Sequence, residues 1–220
     1  MSLKERVKSD VEKIVAKGHQ VDDKLIAFIK KDYAKTLDDV GKGIDTVKET
    51  TIEYLDGVEE GLKAVGHKSA KLINKAAEAM VDVAGKLGDK GVDAAGKVAV
   101  EARAVLNIAL EKTKGSIDNV EEKTKEQMKD AFARLNKAGE IGKTKLEGVG
   151  EGIKAYAARK KGDLSDSARQ TLNRSADSSK EYVHKLALST EAHGKELSRH
   201  SLEKVSGWLE KLADKVKPKA

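Results

Sequence analysis

The sequence predicts an all-α protein of long amphipathic helices carrying an eleven-residue apolar repeat, arranged as a loose antiparallel helical bundle or as an extended helix. Three observations predict it. The first is periodicity: counting from Val7 in steps of eleven gives Ile29, Val40, Leu62, Ile73, Leu106, Ile117, Met128, Leu172, Val183, Val205 and Val216. Of the twenty positions in that register fourteen are apolar, four are Gly and only Lys161 is charged. Companion registers run through Val11, Ile44, Leu55, Leu110, Phe132 and Leu209, and through Leu3, Ile14, Leu25, Val47, Val58, Met80, Leu135, Leu146 and Leu212. Together they place apolar residues three and four apart, which is helical spacing. Eleven residues make three turns at about 3.67 residues per turn, so the stripe stays nearly straight along a helix. The second observation is that Pro218 is the only proline, which leaves helices without their strongest breaker. The third is that aromatics are 3% of the chain and many apolar positions are Ala or Gly, so the expected core is shallow.

Taken in order, Ser2 and Glu5 have the spacing of a capping box, which predicts a first helix from Ser2 to about Lys17, weakened at Gly18, His19 and Gln20. A second segment from about Asp22 to Lys35 holds the most hydrophobic turn, Leu25 to Ile29, and Leu25, Phe28 and Ile29 are the candidate core there. From Val40 to Leu87 the repeat is cleanest and predicts one long helix despite Gly41, Gly43, Gly57, Gly61 and Gly66. Each interior Gly costs about 1 kcal/mol relative to Ala, so that helix should form only where its apolar face is covered. Clusters at Gly85, Gly88, Gly91 and Gly96, and again from Gly139 to Gly152, predict hinges. A helix from about Val92 to Lys114 lies after the first hinge, and Gly115 with Ser116 is its expected end. The clearest loop is Lys160 to Ser165, with Asp163 or Ser165 capping a last helix that carries Leu172, Val183, Leu186, Leu197, Val205, Trp208 and Leu212. Trp208 completes the candidate core. The organisation is thus residues 1–36 as N-terminal helical segments, 37–160 as repeat helices with Gly hinges, and 161–220 as C-terminal helix and tail.

The charge balance narrows the partners. There are 43 basic and 37 acidic residues, a net charge of +6, and the signs alternate along the chain as they do on solvated helix faces. Only a small minority of the basic residues are Arg, which argues against a nucleic-acid reader built on Arg forks. The modest positive excess favours an anionic surface. No cysteine is present, so disulfides, thiolate metal sites and cysteine nucleophiles are excluded together, as suits a reducing cytoplasm. The first ten residues carry no apolar signal core. The longest uncharged apolar stretch, Ala104 to Leu110, is about a third of the roughly 20 residues a membrane span needs. The expected location is cytoplasmic, with a peripheral association at a membrane or granule.

Glu111-Lys112-Thr113-Lys114-Gly115 and Glu122-Lys123-Thr124-Lys125-Glu126 lie eleven residues apart, and Gly142-Lys143-Thr144-Lys145 gives a third Lys-Thr-Lys. In these residues the chain resembles the group 3 late-embryogenesis-abundant proteins and is similar to the eleven-residue repeats of the synucleins. The resemblance implies a chain loosely ordered in water that becomes amphipathic helix on lipid or on drying. Two features depart from that pattern: the Leu25 to Ile29 cluster, and the side chains of Tyr33, Tyr54, Tyr156, Tyr182 and Trp208, which suit a folded bundle better.

Catalytic patterns are sparse. His193, Glu196 and His200 are spaced three and four apart and could converge on a cation, but no further ligand is fixed beside them, and the plainer reading is an exposed polar helix face. Gly61 to Ser69 has one residue too many for a phosphate loop, Lys137 to Thr144 lacks the first glycine, and neither follows a strand. No catalytic residue, cofactor or metal is therefore expected. The stripe carries the interpretation: Val40, Ile44, Val47, Leu55, Val58, Leu62, Ile73, Met80, Leu106, Leu110, Ile117, Met128, Phe132, Leu135, Leu172, Val183, Val205, Leu209 and Leu212. Its expected partner is an anionic membrane or other apolar surface, or the chain itself. A non-enzymatic, stress-protective or surface-coating role follows, with a self-contained helical bundle or filament-forming scaffold as the alternative.

Overall fold

The computed structural model describes the backbone of residues 1–18, 20–41, 43–66, 70–112 and 117–216, and their side chains except 98–125, 127, 128 and 200–216. Six helices and no strand are present among the described residues. Helix α1 is Leu3–Ala16, α2 Val21–Asp39, α3 Ile44–Ala64, α4 Ala70–Lys112, α5 Ile117–Arg159 and α6 Asp166–Val216.

The capping box closes as its spacing predicts. The Ser2 N–H donates to Glu5 Oε2 at 2.8 Å and the Glu5 N–H donates to Ser2 Oγ at 3.2 Å, satisfying two N–H groups that a helix start leaves open. Gly18 ends α1 at φ +69°, with its N–H donating to the Val15 carbonyl at 3.0 Å. Ahead of α6, Ser165 Oγ accepts from the Ala168 N–H at 3.3 Å and starts the helix.

One expectation is corrected: the helix predicted from Val40 to Leu87 is divided, because Gly66 takes φ +74° after α3 and the chain restarts at Ala70. At the Gly clusters near 85–96 and 139–152, α4 and α5 continue as helix, and the division of the chain into two units falls at Gly91 and Gly139, within these clusters. Packing explains the continuous helix, as described below.

The chain divides into two units, each described by itself. The first is Met1–Gly91 with Gly139–Leu186. Within it α1 packs chiefly on α3 and more sparsely on α2. Paired contacts fix the directions. Val7 and Val11 meet Gly57 and Gly61, while Val47 and Thr51 meet Gly148 and Gly152, so α1, α3 and α5 run parallel. Asp22 and Asp82 bridge to Lys75 and Lys30, and Tyr182 and Leu186 meet Gly85 and Gly88, so α2, α4 and α6 run parallel too. Gly142 and Gly150 meet Leu186 and Ser179 in reverse order, which sets α5 against α6. The helices of this unit therefore alternate up and down, as short connections between neighbours require.

The core is deeper than the composition suggests. Leu25, Ile29, Tyr33 and Leu37 advance by four along α2 and are fully buried. Helix α3 buries nine positions from Val47 to Leu62, because it is contacted from two sides and its buried face is wider than one stripe. In the second unit, Val92–Ala138 with Ala187–Ala220, Val92, Ala131 and Leu135 are buried. There the His193 ring covers Gly96, and Gly194 lies near Phe132.

Candidate functional site

The stripe is the place where sequence reasoning put function, and most of its described residues are buried among the helices. Val47, Leu55, Val58, Leu62, Ile73, Met80, Leu135 and Leu172 are buried, as are Leu25 and Ile29. Val40, Phe132, Val183 and Phe28 are half-buried. Phe28 is thereby corrected from core to margin, since the buried face of α2 passes through its neighbour Ile29. Ile44, at the start of α3, is 40% exposed. The side chains of Leu106, Leu110, Ile117, Met128, Val205, Trp208, Leu209 and Leu212 lie outside the described residues.

What holds the seam is a repeated fit between glycines and β-branched residues. A Cβ placed on Gly57 would lie 2.8 Å from Val7 Cβ, and one on Gly61 would lie 2.7 Å from Val11 Cβ. The same pair recurs between α3 and α5, at 2.6 Å from Gly148 to Val47 Cβ and 2.5 Å from Gly152 to Thr51 Cβ. In each case the backbone carbonyl three residues before the β-branched residue is also at the contact: Lys4, Lys8, Ile44 and Lys48. Two glycines four apart open one face of a helix, and a partner's two β-branched side chains enter it with backbone nearly touching backbone. Gly85 and Gly88 admit Tyr182 and Leu186 in the same way, and Gly150 admits Ser179. These are the glycines that intrinsic propensity marks as weak points.

Two polar clusters cross the seam. In the first, Arg6 Nη1 donates to Asp32 Oδ1 at 2.6 Å and Arg6 Nη2 to Thr36 Oγ1 at 3.3 Å, while Tyr54 Oη donates to Asp32 Oδ2 at 3.1 Å. The hydrogen bond from Arg6 to Asp32 raises the Arg6 guanidinium above its usual value. Tyr33 meets Tyr54 edge-on at 4.9 Å and bonds Thr51 Oγ1 at 2.7 Å. Thr51 gives its proton to the Val47 carbonyl, so Tyr33 is the donor. Burial raises the Tyr33 and Tyr54 phenols above their ordinary value.

The second cluster centres on Glu59, only 2% exposed. It accepts from Lys63 Nζ at 2.6 Å, Lys160 Nζ at 2.7 Å and Tyr156 Oη at 2.8 Å. Asp56 beside it pairs with Arg159 and lies 3.6 Å from Lys160 Nζ. Burial pushes the Glu59 carboxyl up, but the bonds from Lys160, Lys63 and Tyr156 outweigh it and leave the group below the usual carboxylate value. Burial and the bond to Glu59 raise the Tyr156 phenol. Neither cluster is legible in the sequence, although Thr51, a polar residue in the Val7 register, marks one crossing.

A cleft of about 300 Å³ is lined by Ile44, Gly150, Lys154, Ala176, Ser179 and Val183 among others, and Ser179 Oγ donates to the Ala176 carbonyl at 2.6 Å. His193 Nδ1 lies 2.8 Å from the Ser189 carbonyl, and His200 is outside the described side chains. Among the described residues no three His, Asp or Glu gather as metal ligands, and no helix is long and apolar enough to cross a membrane. Gly61 and Gly142, from the two glycine motifs, both sit inside helices against neighbouring side chains. Comparison with family models, curated proteins and solved structures gives no match.

Proposed function

We propose that this chain is a non-enzymatic structural protein, a self-contained helical bundle whose apolar stripe holds its own helices together and whose alternating charges form the outer face. The observation that carries the reading is the seating of Val7, Val11, Val47 and Thr51 on Gly57, Gly61, Gly148 and Gly152. A helix lying on a lipid surface gains nothing from interior glycine and loses about 1 kcal/mol for each. A helix packed on another helix recovers that loss through close approach, and only at the positions that face the partner. Here Gly57, Gly61, Gly148 and Gly152 fall on those positions.

Surface coating, the role implied by the late-embryogenesis-abundant resemblance, requires the seam to open so that Val47, Val58 and Met80 can meet lipid. Far-ultraviolet circular dichroism with thermal melting, in buffer and with anionic vesicles, separates the two. The bundle should be highly helical in buffer and melt sharply, with vesicles changing neither. Weak helicity that rises steeply on vesicles would replace the bundle reading with the coating one.

A further inference from the structure

We infer that the α3 groove over Gly57 and Gly61 is an exchangeable docking site, filled by α1 of the same chain and equally open to α1 of a second copy of this chain. The inference rests on the bundle reading, since α1 must dock on α3 for either to hold. Three observations carry it.

The contact is keyed to particular side chains. Val7 and Val11 cover Gly57 and Gly61, Lys4 Nζ lies 2.7 Å from Glu60 Oε1, and Arg6 reaches Asp32 and Thr36 on α2. The site therefore selects a helix with β-branched residues four apart and basic residues one and three positions before the first of them. Any copy of α1 offers the same surface.

Among the described residues α1 packs chiefly on α3, with a smaller contact on α2. Leaving the groove breaks these two contacts, and a second α1 seated in the same way restores both.

The hinge between α1 and α2 is strained in the closed form. Gln20 stands at φ +55° with no side-chain cap on α2, close behind Gly18 at φ +69°. A left-handed conformation sets the Gln20 Cβ against its own carbonyl, which glycine avoids and glutamine does not. When α1 swings away and the connection extends, Gln20 returns to ordinary backbone. Strained short hinges favour exchange of a segment between copies, because the exchanged form keeps the contacts and sheds the strain.

The test uses the full chain, which has no cysteine of its own. Lys4→Cys and Glu60→Cys replace a salt bridge whose side chains are 40% and 41% exposed, so both thiols can be reached. The two single variants are mixed at about 1 mM each, comparable to the effective concentration a short connection gives, and treated with a short bis-maleimide. Exchange predicts a cross-linked heterodimer about tenfold above a collision control pairing Lys4→Cys with Lys180→Cys, falling several-fold when Gln20→Gly relaxes the hinge. Heterodimer at the control level overturns the exchange. The double variant Lys4→Cys/Glu60→Cys must close within one chain; if it does not, α1 is not docked on α3 and the bundle reading falls with the exchange.

Discussion

Val47 rests on Gly148 so closely that a Cβ on the glycine would stand 2.6 Å from Val47 Cβ and 3.0 Å from the Ile44 carbonyl oxygen. Both neighbours are fixed within α3, one by its branch point and the other by the backbone. The contact turns a residue that weakens an isolated helix into one that this helix pair needs.

Gly148→Ala gives a first prediction in which two effects oppose each other. The change should gain up to about 1 kcal/mol of helix propensity and lose about 1–3 kcal/mol to overpacking. A net destabilisation of about 1–2 kcal/mol is expected by denaturant titration. Gly194, also helical, has only an ordinary contact, 3.8 Å from Phe132, so Gly194→Ala should stabilise by about 0.5–1 kcal/mol. Equal signs for the two would show that packing does not decide the matter.

The stripe residues should split by burial. Val58 is fully buried, and Val58→Asp should cost about 3 kcal/mol or more, because it leaves a charge in the seam with no partner. Ile44 lies in the first turn of α3, where an acidic group is favoured. Ile44→Asp should therefore change stability by no more than about 0.5 kcal/mol. Parallel thermal melts read both, and a mild Val58→Asp would remove the seam from the account of stability.

Glu59 sets an acid limit. Its folded carboxyl lies below its ordinary value, so the unfolded chain binds this proton more tightly. The stability it supplies is present in full above the unfolded value of about 4.3 and is lost as pH falls towards the folded value. Unfolding free energy measured from pH 6 downward should decline below about pH 5. In Glu59→Gln the decline should be shallower, and an unchanged slope would place the acid sensitivity elsewhere.

The buried tyrosines set an alkaline limit. Folded phenols raised by burial at Tyr33, Tyr54 and Tyr156 bind their protons more tightly than the unfolded chain does. Their contribution is intact below the unfolded value of about 10 and is lost above it, at about 1.4 kcal/mol per pH unit for each phenol. Tyrosinate absorbance from these three should appear together with loss of helicity. Ionisation preceding unfolding would show that the hydroxyls reach water in the folded state.

Local signals in the sequence carry far here. Ser2 with Glu5, and Ser165, mark two helix starts because capping is decided within three residues. The eleven-residue registers locate Val47, Val58, Leu62, Met80, Leu135 and Leu172, all buried. The glycines mislead because their effect changes sign with a partner that lies far along the chain. Gly66 bends the backbone, whereas Gly148 and Gly152 only make room, and composition alone cannot tell these apart. Asp32 and Glu59 resemble any other acidic residue among the 37 in the chain. What distinguishes them is who stands opposite: Arg6 and Tyr54 in one case, Lys160 and Tyr156 in the other.

The parallel pairing of α3 with α5 has a consequence for how the molecule is made. Glu59 waits for Tyr156, 97 residues further on, and Asp56 for Arg159, 103 further on. During synthesis at about 5–20 residues per second, one side of α3 stays open for about 5–20 s after the helix emerges. Over that interval the face of α3 at Gly57 and Gly61 is already covered by α1, made earlier, while the Val47 and Thr51 edge waits for Gly148 and Gly152.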